Sequence, residues 1–390
     1  MQAGSIDTLA PRAAIAALAE RILDAAAARR PLVIRGGGSK DFFGNPATGE
    51  RLETHTLQAP PRHEPAELVV TVAAGTPLAE LEALLAGAGQ MLAFEPPHFG
   101  AAATVGGAVA AGLCGPRRIA AGHAGGALRD QVLGAKLLDG RGQLLAFGGT
   151  VIKNVAGYDV ARVLAGSLGV LGVLVEVSLR VVPRPAAECS VMLECNADEA
   201  LRRFGELGLQ PWPVSASAWF DGRLWLRLSG AIAAVQQARR ALGGELLDAE
   251  AAADFWMRLR EHRHEFFELT SDQSLWRLAL PAGSPVFAET PCLLEWHGMQ
   301  RWLKWPTVDD GGSAATAVGA AAPLRNWAGR QGGHATRFRG QAFGGPVFAP
   351  LAPAVLEIHR RLKREFDPAG VFNRGRLQPA IDEPCSGQSS

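Results

Sequence analysis

The sequence is short of tyrosine, of paired cysteines and of excess charge. Tyr158 is the only tyrosine among 390 residues. The five cysteines, Cys114, Cys189, Cys195, Cys292 and Cys385, form no C-x-x-C pair. That spacing fits neither a zinc site nor an iron–sulfur cluster, and scattered cysteines in odd number suit a reducing cytoplasm. With Lys+Arg at 39 against Asp+Glu at 38 the net charge is +1, which leaves no electrostatic footprint for nucleic acid. No signal-peptide core precedes the fold, because Asp7, Arg12, Glu20, Arg21 and Asp24 interrupt the alanine-rich start. Two stretches come near a membrane span and fail. Phe99 to Gly115 is mostly Ala and Gly, and Val163 to Val182 is broken by Glu176 and Arg180. G-x-G-x-x-G and G-x-x-x-x-G-K-[ST] are both absent, which argues against a Rossmann fingerprint and a P-loop.

What the chain does have is glycine, 46 residues of it, gathered in three telling places. Strand-like Leu32-Val33-Ile34 runs into Arg35-Gly36-Gly37-Gly38-Ser39-Lys40. Such a turn is either a nest of backbone N–H groups for phosphate oxygens, with Lys40 adding charge, or a plain glycine turn. Ala103-Thr104-Val105-Gly106-Gly107 opens a short helix whose first N–H groups point back at that turn; the alternative is small residues that let helices pack closely. From Gly148 to Pro185 the period changes three times, through Lys153-Asn154-Val155-Ala156-Gly157-Tyr158-Asp159, a short helix from Tyr158 to Leu164, Gly166-Ser167-Leu168-Gly169-Val170-Leu171-Gly172, and a strand from Val173 to Val182. All three stretches are expected to meet around one cofactor.

The length predicts two domains, and 48% hydrophobic residues are ample for their cores. A helix is expected over Pro11–Arg30 and a strand over Leu68–Val72. Thr76 as N-cap and Pro77 at the first position then open a helix, followed by a strand over Met91–Phe94. Gln131–Leu138 and Gln143–Phe147 flank Asp139-Gly140-Arg141-Gly142 as a hairpin. Pro183 and Pro185 close the first domain. Beyond it, strands flanking Asp221-Gly222, strands at Ser274–Leu280 and Cys292–Trp296, and helices at Asp198–Leu207, Ala231–Leu242 and Ala249–Phe267 suggest a small α+β cap. Gly311–Pro323 reads as a flexible loop. Gly333–Gly340 alternates with His334, Thr336 and Phe338 on one face and Arg337 and Arg339 on the other. In the helix Pro353–Phe366, Val355, Leu356, Ile358, Leu362 and Phe366 are expected inward, with Arg360, Arg361, Lys363 and Arg364 outward or near its end. His98 has no second ligand at metal spacing, and no metal site is expected.

Together these stretches resemble the FAD-linked oxidases of the vanillyl-alcohol oxidase, PCMH-type fold, and more narrowly the FAD-binding E subunits of bacterial glycolate oxidases. Arg35 to Lys40 is similar to the R-G-G-G loop and Ala103 to Gly107 to A-T-x-G-G. Lys153 to Asp159 and Gly166 to Gly172 are similar to K-N-x-x-G-Y-D and G-S-x-G-x-L-G. Phe366-Asp367-Pro368-Ala369-Gly370-Val371-Phe372-Asn373 resembles F-D-P-x-x-x-F-N, and Glu295 to Trp302 contains W-x-G-x-Q-R-W. The resemblance implies an α+β fold. Residues 1–185 would form a PCMH-type FAD-binding domain of two α+β subdomains, and 186–332 a smaller α+β cap. Residues 333–380 would pack back near the flavin, and 381–390 would form a disordered tail.

The same resemblance implies FAD held by Arg35, Gly36, Gly37, Gly38, Ser39, Lys40, Pro97, Ala103, Thr104, Val105, Gly106, Gly107, Tyr158, Asp159, Gly166, Gly169, Gly172, Val173 and Asn373. Ser39 stands where covalent relatives carry histidine, so the FAD is expected to be non-covalent. In the family's chemistry a 2-hydroxy acid, here glycolate going to glyoxylate, gives a hydride to the flavin. His334 or His297 would act as base and Arg301 or Arg337 as carboxylate anchor; each is otherwise a satisfied structural residue. Leu168 replaces the glutamate of the G-S-E-G signature of catalytic D-type subunits, and the cap lacks a closely spaced histidine pair. A second reading therefore stays open: an electron-transfer or assembly subunit beside a catalytic D-type flavoprotein and an iron–sulfur F-type subunit. The expected location is the cytoplasm, with the inner membrane reached only through a partner.

Overall fold

Helical spacing of apolar residues folds the start of the chain. Ile15, Leu18, Ile22 and Ala25 are buried along one side of α1 (Arg12–Ala27). The computed structural model describes residues 6–120, 126–149, 159–287, 290–306, 322–340 and 346–383. The expected loop at 311–323 falls almost wholly outside these residues, as do Tyr158 and the polar turn before it. Helix α1 packs on the parallel pair β1 (Leu32–Arg35) and β2 (Glu50–Glu53), sharing a core with Leu32, Leu52, Val173 and Phe372.

After β3 (Arg62–Glu64) and β4 (Val69–Ala73) comes α2 (Leu78–Gly87). Thr76 does not cap this helix. Pro77 is extended and bridges Thr104, which moves the helix start by one residue and leaves the Thr76 hydroxyl buried without a hydrogen-bond partner. The expected strand at 91–94 shrinks to β5 (Gln90–Met91). Next are α3 (Val105–Ala111), α4 (Leu128–Gln131), β6 (Val132–Leu138) and β7 (Leu144–Gly148). The last two form the expected hairpin, and the Asp139 carboxylate accepts from the Arg141 and Gln143 amides to hold its turn. Helix α5 (Val160–Leu164), β8 (Val173–Arg180) and β9 (Val182–Pro183) follow. The antiparallel sheet β3-β4-β8-β6-β7 buries β8 on both faces. Glu176, which interrupts that apolar strand, is buried against Lys136 at 2.5 Å.

A second sheet of eight strands is built from β10 (Ala187–Glu194) onward. In chain order it adds α6 (Ala197–Gly208), β11 (Val214–Phe220), β12 (Arg223–Gly230), α7 (Ile232–Leu242), β13 (Glu245–Leu246) and α8 (Ala249–Arg260). Strands β14 (Gln273–Ala279), β15 (Cys292–Glu295) and β16 (Gln300–Pro306), helix α9 (Ala322–Arg330) and β17 (His334–Arg339) complete it. The antiparallel order is β13-β10-β12-β11-β15-β16-β14-β17. One face carries α6, α7 and α9 over Leu226, Leu278, Leu294 and Leu303. The other presses Leu275, Leu293, Trp302 and Phe338 against Phe43, Ala111, Leu113 and Leu168 of the first half. Helix α8 stops before the expected Phe267, because His262 takes φ +51 and turns the chain so that Phe266 and Phe267 enter this second core.

The last helix, α10 (Pro353–Phe366), is turned from the expected orientation. Val355 and Ile358 are 41% and 57% exposed, while Lys363 is buried. The cause is the segment after it. The Lys363 ammonium donates to Asp367 at 2.7 Å and to the carbonyls of Val170 and Phe372. Asp367 in turn accepts from the amides of Val371 and Phe372, folding the F-D-P-x-x-x-F-N stretch into a knot around one buried ion pair. The fold extends past 380, contrary to a tail beginning at 381: Ile381 is buried, and Asp382 accepts from the Gly375 amide at 2.6 Å.

Candidate functional site

Four of the six motif segments contribute to one cleft. Its floor is the turn after β1, Arg35 to Asp41; its walls are the start of α3, the turn Ser167–Gly172, and Asn373 with Arg376. The glycines are there first for contact between these segments. A Cβ on Gly37 would run into the backbone carbonyl of Ala102, and one on Gly36 would lie 2.5 Å from the Thr104 hydroxyl. Thr104 caps α3 by accepting from the Gly107 amide. Gly169, at φ +73, leaves room for Asn373, whose side chain accepts from the Ile34 amide and donates to the Leu168 carbonyl. One side chain thus ties the first strand to the last glycine turn.

Of the residues expected to hold a nucleotide, Arg35, Gly36, Gly37, Gly38, Ser39, Lys40, Thr104, Gly106, Gly107, Gly169, Gly172 and Asn373 line this cleft. The others stand apart. Ala103, Val105 and Val173 point into cores, Gly166 borders a different groove, and Pro97 lines a second cavity. Asp159 is exposed and pairs with Arg162 at 2.9 Å. Tyr158 lies outside the described residues. Arg35 lines the cleft but is paired to Asp41 at 2.7 Å. Lys40 donates to the Ser39 hydroxyl and the His98 carbonyl, and burial lowers its pKa to about 8. With three donors, the ammonium keeps one for a ligand. Arg376, missed in the sequence, reaches back to the carbonyls of Asp41 and Phe43 and closes the rim; its only signal was a basic residue close after the C-terminal motif.

The residues present fit FAD. Backbone N–H groups and Lys40 face the cleft, and glycines leave the approach open. Among the described residues no histidine, cysteine or tyrosine lines the cleft.

A second, smaller cavity begins where α3 leaves the cleft: Ala111 lines the one, and Leu113 and Cys114 the other. Phe99 and Phe338 wall it, and both contact Phe42 of the cleft turn at 5.3 and 5.6 Å. Its polar lining is Cys114, Arg260, His262, Arg277, Glu295 and Gln300. Burial lowers Arg277 to about 10, holds His262 well below the ordinary imidazole range with help from Arg339 and Arg277, and lifts Glu295 to about 7. Glu295 and Gln300 belong to the stretch likened to W-x-G-x-Q-R-W, and Cys114 was noted only as a scattered cysteine; Arg260, His262 and Arg277 were not singled out in the sequence. The available signal was a lone arginine in the otherwise apolar strand Ser274–Leu280.

The four expected catalytic residues do not meet at either cavity. Strand alternation explains two of them. Arg301 opposes Leu278 and Leu294, so it faces the helix-covered side of the sheet, where it donates to the carbonyls of Gly298, Pro285 and Ser284. Arg337 opposes Trp276 on that same side. His297 stacks on Phe204 of α6 with centroids 5.5 Å apart, and burial lowers its pKa to about 4. His334 shares the face of Thr336 and Arg277 but sits exposed at the strand start. Among the described residues no group of His, Cys, Asp and Glu is placed to hold a metal ion, and no helix is long and apolar enough to cross a membrane.

The pattern of the FAD binding domain family matches residues 12–160. Among solved structures, alkyldihydroxyacetonephosphate synthase superposes with a TM-score of 0.62 over 91% of this chain and 74% of its own, at 14% identity, which establishes a shared fold. A D-2-hydroxyglutarate dehydrogenase of Xanthomonas citri pv. viticola is 33% identical over 43% of this chain and 35% of its own length. Glycolate oxidase subunit GlcE of Escherichia coli (strain K12) is 44% identical over 93% of this chain and 96% of its own length. A match of that extent runs through the cleft, the second sheet and the C-terminal knot alike, and by it this chain belongs to the GlcE family of FAD-linked oxidoreductase subunits.

Proposed function

We propose that this chain is the FAD-binding E-type subunit of a glycolate oxidase, in which a 2-hydroxy acid is oxidised to the 2-oxo acid. The observation that carries the reading is the convergence of the glycine turns, Lys40 and the Asn373 tie on one cleft. There the turn Gly36–Ser39 and the start of α3 would hold the pyrophosphate, with Lys40 supplying charge. Bound FAD supplies the hydride acceptor. The chain's own part is to seat the cofactor non-covalently in this cleft. The boundary near residue 185 fits this division, with the first sheet carrying the cofactor and the second covering it. Of the first-named catalytic candidates, His334 keeps a place in the proposal, because it lies on the Arg277 face. A D-type flavoprotein and an iron–sulfur F-type subunit are the proposed partners, in the cytoplasm, with any membrane contact made through them.

The test is to purify the chain alone, record its visible spectrum and add glycolate without oxygen. Flavin bands at roughly 370 and 450 nm that bleach on addition support oxidation on this chain. Bands that persist favour the electron-transfer reading, for which Leu168 in place of the G-S-E-G glutamate is the supporting observation. A chain that neither carries nor takes up FAD overturns the cofactor reading and leaves the assembly role.

A further inference from the structure

Helix α8 ends on a carboxylate. Glu261 is its C-cap and is 7% exposed. The last turn of a helix carries a partial negative charge, so a buried carboxylate there is unfavourable by itself. What offsets it lies in the first half of the chain. Glu261 Oε2 accepts from the amides of His98 at 3.1 Å and Phe99 at 2.8 Å. Its Oε1 accepts from the His98 amide at 3.2 Å and from Arg260 Nε at 2.8 Å. Phe99 takes φ +53 at that point, a left-handed conformation that a bulky residue keeps only when its surroundings hold it there.

The other side of the same turn touches the cofactor cleft. The His98 carbonyl accepts from the Lys40 ammonium at 3.1 Å, and the Phe99 ring lies 5.7 Å from it. The Glu261 charge also offsets part of the burial that lowers Lys40 to about 8. Other charged groups around Lys40 are engaged with partners of their own. Arg35 pairs with Asp41 at 2.7 Å, and the His98 ring with Glu82 at 2.9 Å. Arg376 reaches the carbonyls of Asp41 and Phe43, and Arg339 of β17 lies over the rings of Phe42 and Phe99.

We infer that Glu261 is a positioning residue for the cofactor: by gripping the His98–Phe99 turn it fixes where the Lys40 ammonium stands in the cleft. This role rests on the FAD reading and deepens it. The docking of the second half of the chain then sets how firmly the first half holds its nucleotide. A negative charge at this distance also favours the charged form of the lysine. Packing alone does not require a carboxylate here. Trp256 and Leu259 already bury the helix, and a cation or a neutral residue would suit its C-terminus better.

The experiment strips flavin from the full chain and titrates FAD back by fluorescence at pH 6 and pH 8. It compares the wild type with Glu261→Gln, Glu261→Ala, Lys40→Met and the two double variants. Glutamine keeps the shape and one acceptor but removes the charge. It should weaken FAD several-fold at pH 8 and little at pH 6. Alanine releases the turn and should weaken FAD about tenfold at both. With Lys40→Met present, either change at 261 should cost less than about twofold, because the effect passes through the lysine. Equal losses with and without Lys40, or no loss in either variant, overturn the inference. A second readout needs no FAD: acetylation of Lys40 by acetic anhydride across pH, read by mass spectrometry. Its midpoint should fall in Glu261→Gln. A midpoint that stays, or rises towards the ordinary lysine value, means that Glu261 only packs the helix end and overturns the role. Glu188→Gln, which removes the ion pair to Arg117, is the control and should leave both readouts unchanged. A control that shifts them equally also overturns the role, since any loosening between the halves would then suffice. A wild type that takes up no FAD overturns the cofactor reading instead, and the acetylation curve still decides whether Glu261 governs Lys40. If Glu261→Ala fails to fold, Glu261→Gln decides.

Discussion

In the cleft, the groups that face a ligand belong mostly to the backbone: glycine turns, the first turn of α3, and carbonyls fixed by Asn373 and Arg376. The cavity beside it is lined instead by side chains drawn from α8, β14, β15 and β16 and from the loop after α3. The first region is held by segment-to-segment contact that tolerates no Cβ. The second is held by packing of aromatic rings around a few charged side chains, of which Arg277 has no carboxylate partner among the described residues. One site therefore depends on the absence of side chains, and the other on the exact complement of a few. A like contrast runs between two arginines of the second sheet: Arg227 has Glu95 at 2.8 Å, and Arg277 has no such partner among the described residues.

The sharpest way to break the contrast is Gly37→Ala. Its Cβ would meet the Ala102 carbonyl, a backbone atom that cannot swing aside. We expect a loss on the order of 5 kcal/mol in urea unfolding, together with loss of bound FAD. A variant that retains both would show that the two turns can separate. Next is the arginine pair. Arg227→Met leaves buried Glu95, now held at a pKa of about 2 by Arg227 and Arg117 against its burial, with one partner fewer. It should cost about 3 kcal/mol, whereas Arg277→Met should leave the melting temperature unchanged or raise it. Equal losses would mean that Arg277 is structural as well.

Glu295 gives a pH test of the cavity. Its folded pKa of about 7 lies above the ordinary value of 4.5, so between these two values the folded state holds a proton that the unfolded state has lost. Stability from this group is present below about pH 4.5 and is lost as pH rises to about 7. Glu295→Gln should therefore gain on the wild type by about 2 kcal/mol at pH 8 and by little at pH 4.5, read from melting curves. A pH-independent difference would remove the buried ionisation. The smallest effect belongs to the cleft. Lys40 titrates near 8, lowered by burial, so FAD affinity should fall by up to about tenfold per pH unit above pH 8. Lys40→Met should bind FAD more weakly at pH 7 and show no such slope; a slope that survives would place the titrating group elsewhere.

The cleft was legible because its chemistry is written in local composition. Three successive glycines after a buried strand, a Thr before a small-residue helix and a Gly-Ser-Leu-Gly turn each mark a close backbone approach that does not depend on what lies far away, and their joint resemblance to FAD-linked oxidases chose between the phosphate-binding and the plain readings. The hairpin at Asp139 and the turn at Asp221-Gly222 were readable for the same reason. Local pattern misled where a long-range partner intervened. Thr76 lost its cap role to the Pro77–Thr104 bridge, α10 rotated to bury Lys363 against Asp367, and the expected strand after Gly89 shortened.

The four expected catalytic residues lie apart for a geometric reason. W-x-G-x-Q-R-W marks a real turn, and Trp296 and His297 both take positive φ there. But adjacent residues on β16 face opposite ways, so Trp302 reaches the cavity while Arg301 secures the loop behind the sheet. Sequence by itself determined that the chain forms an α+β fold built on glycine turns for a nucleotide cofactor, since those turns are local backbone requirements. Only the tertiary structure decided which charges meet that cofactor's neighbourhood. The pairing register of β14, β15, β16 and β17 chooses the face of every side chain on them, and that register is set by contacts between strands far apart in the chain.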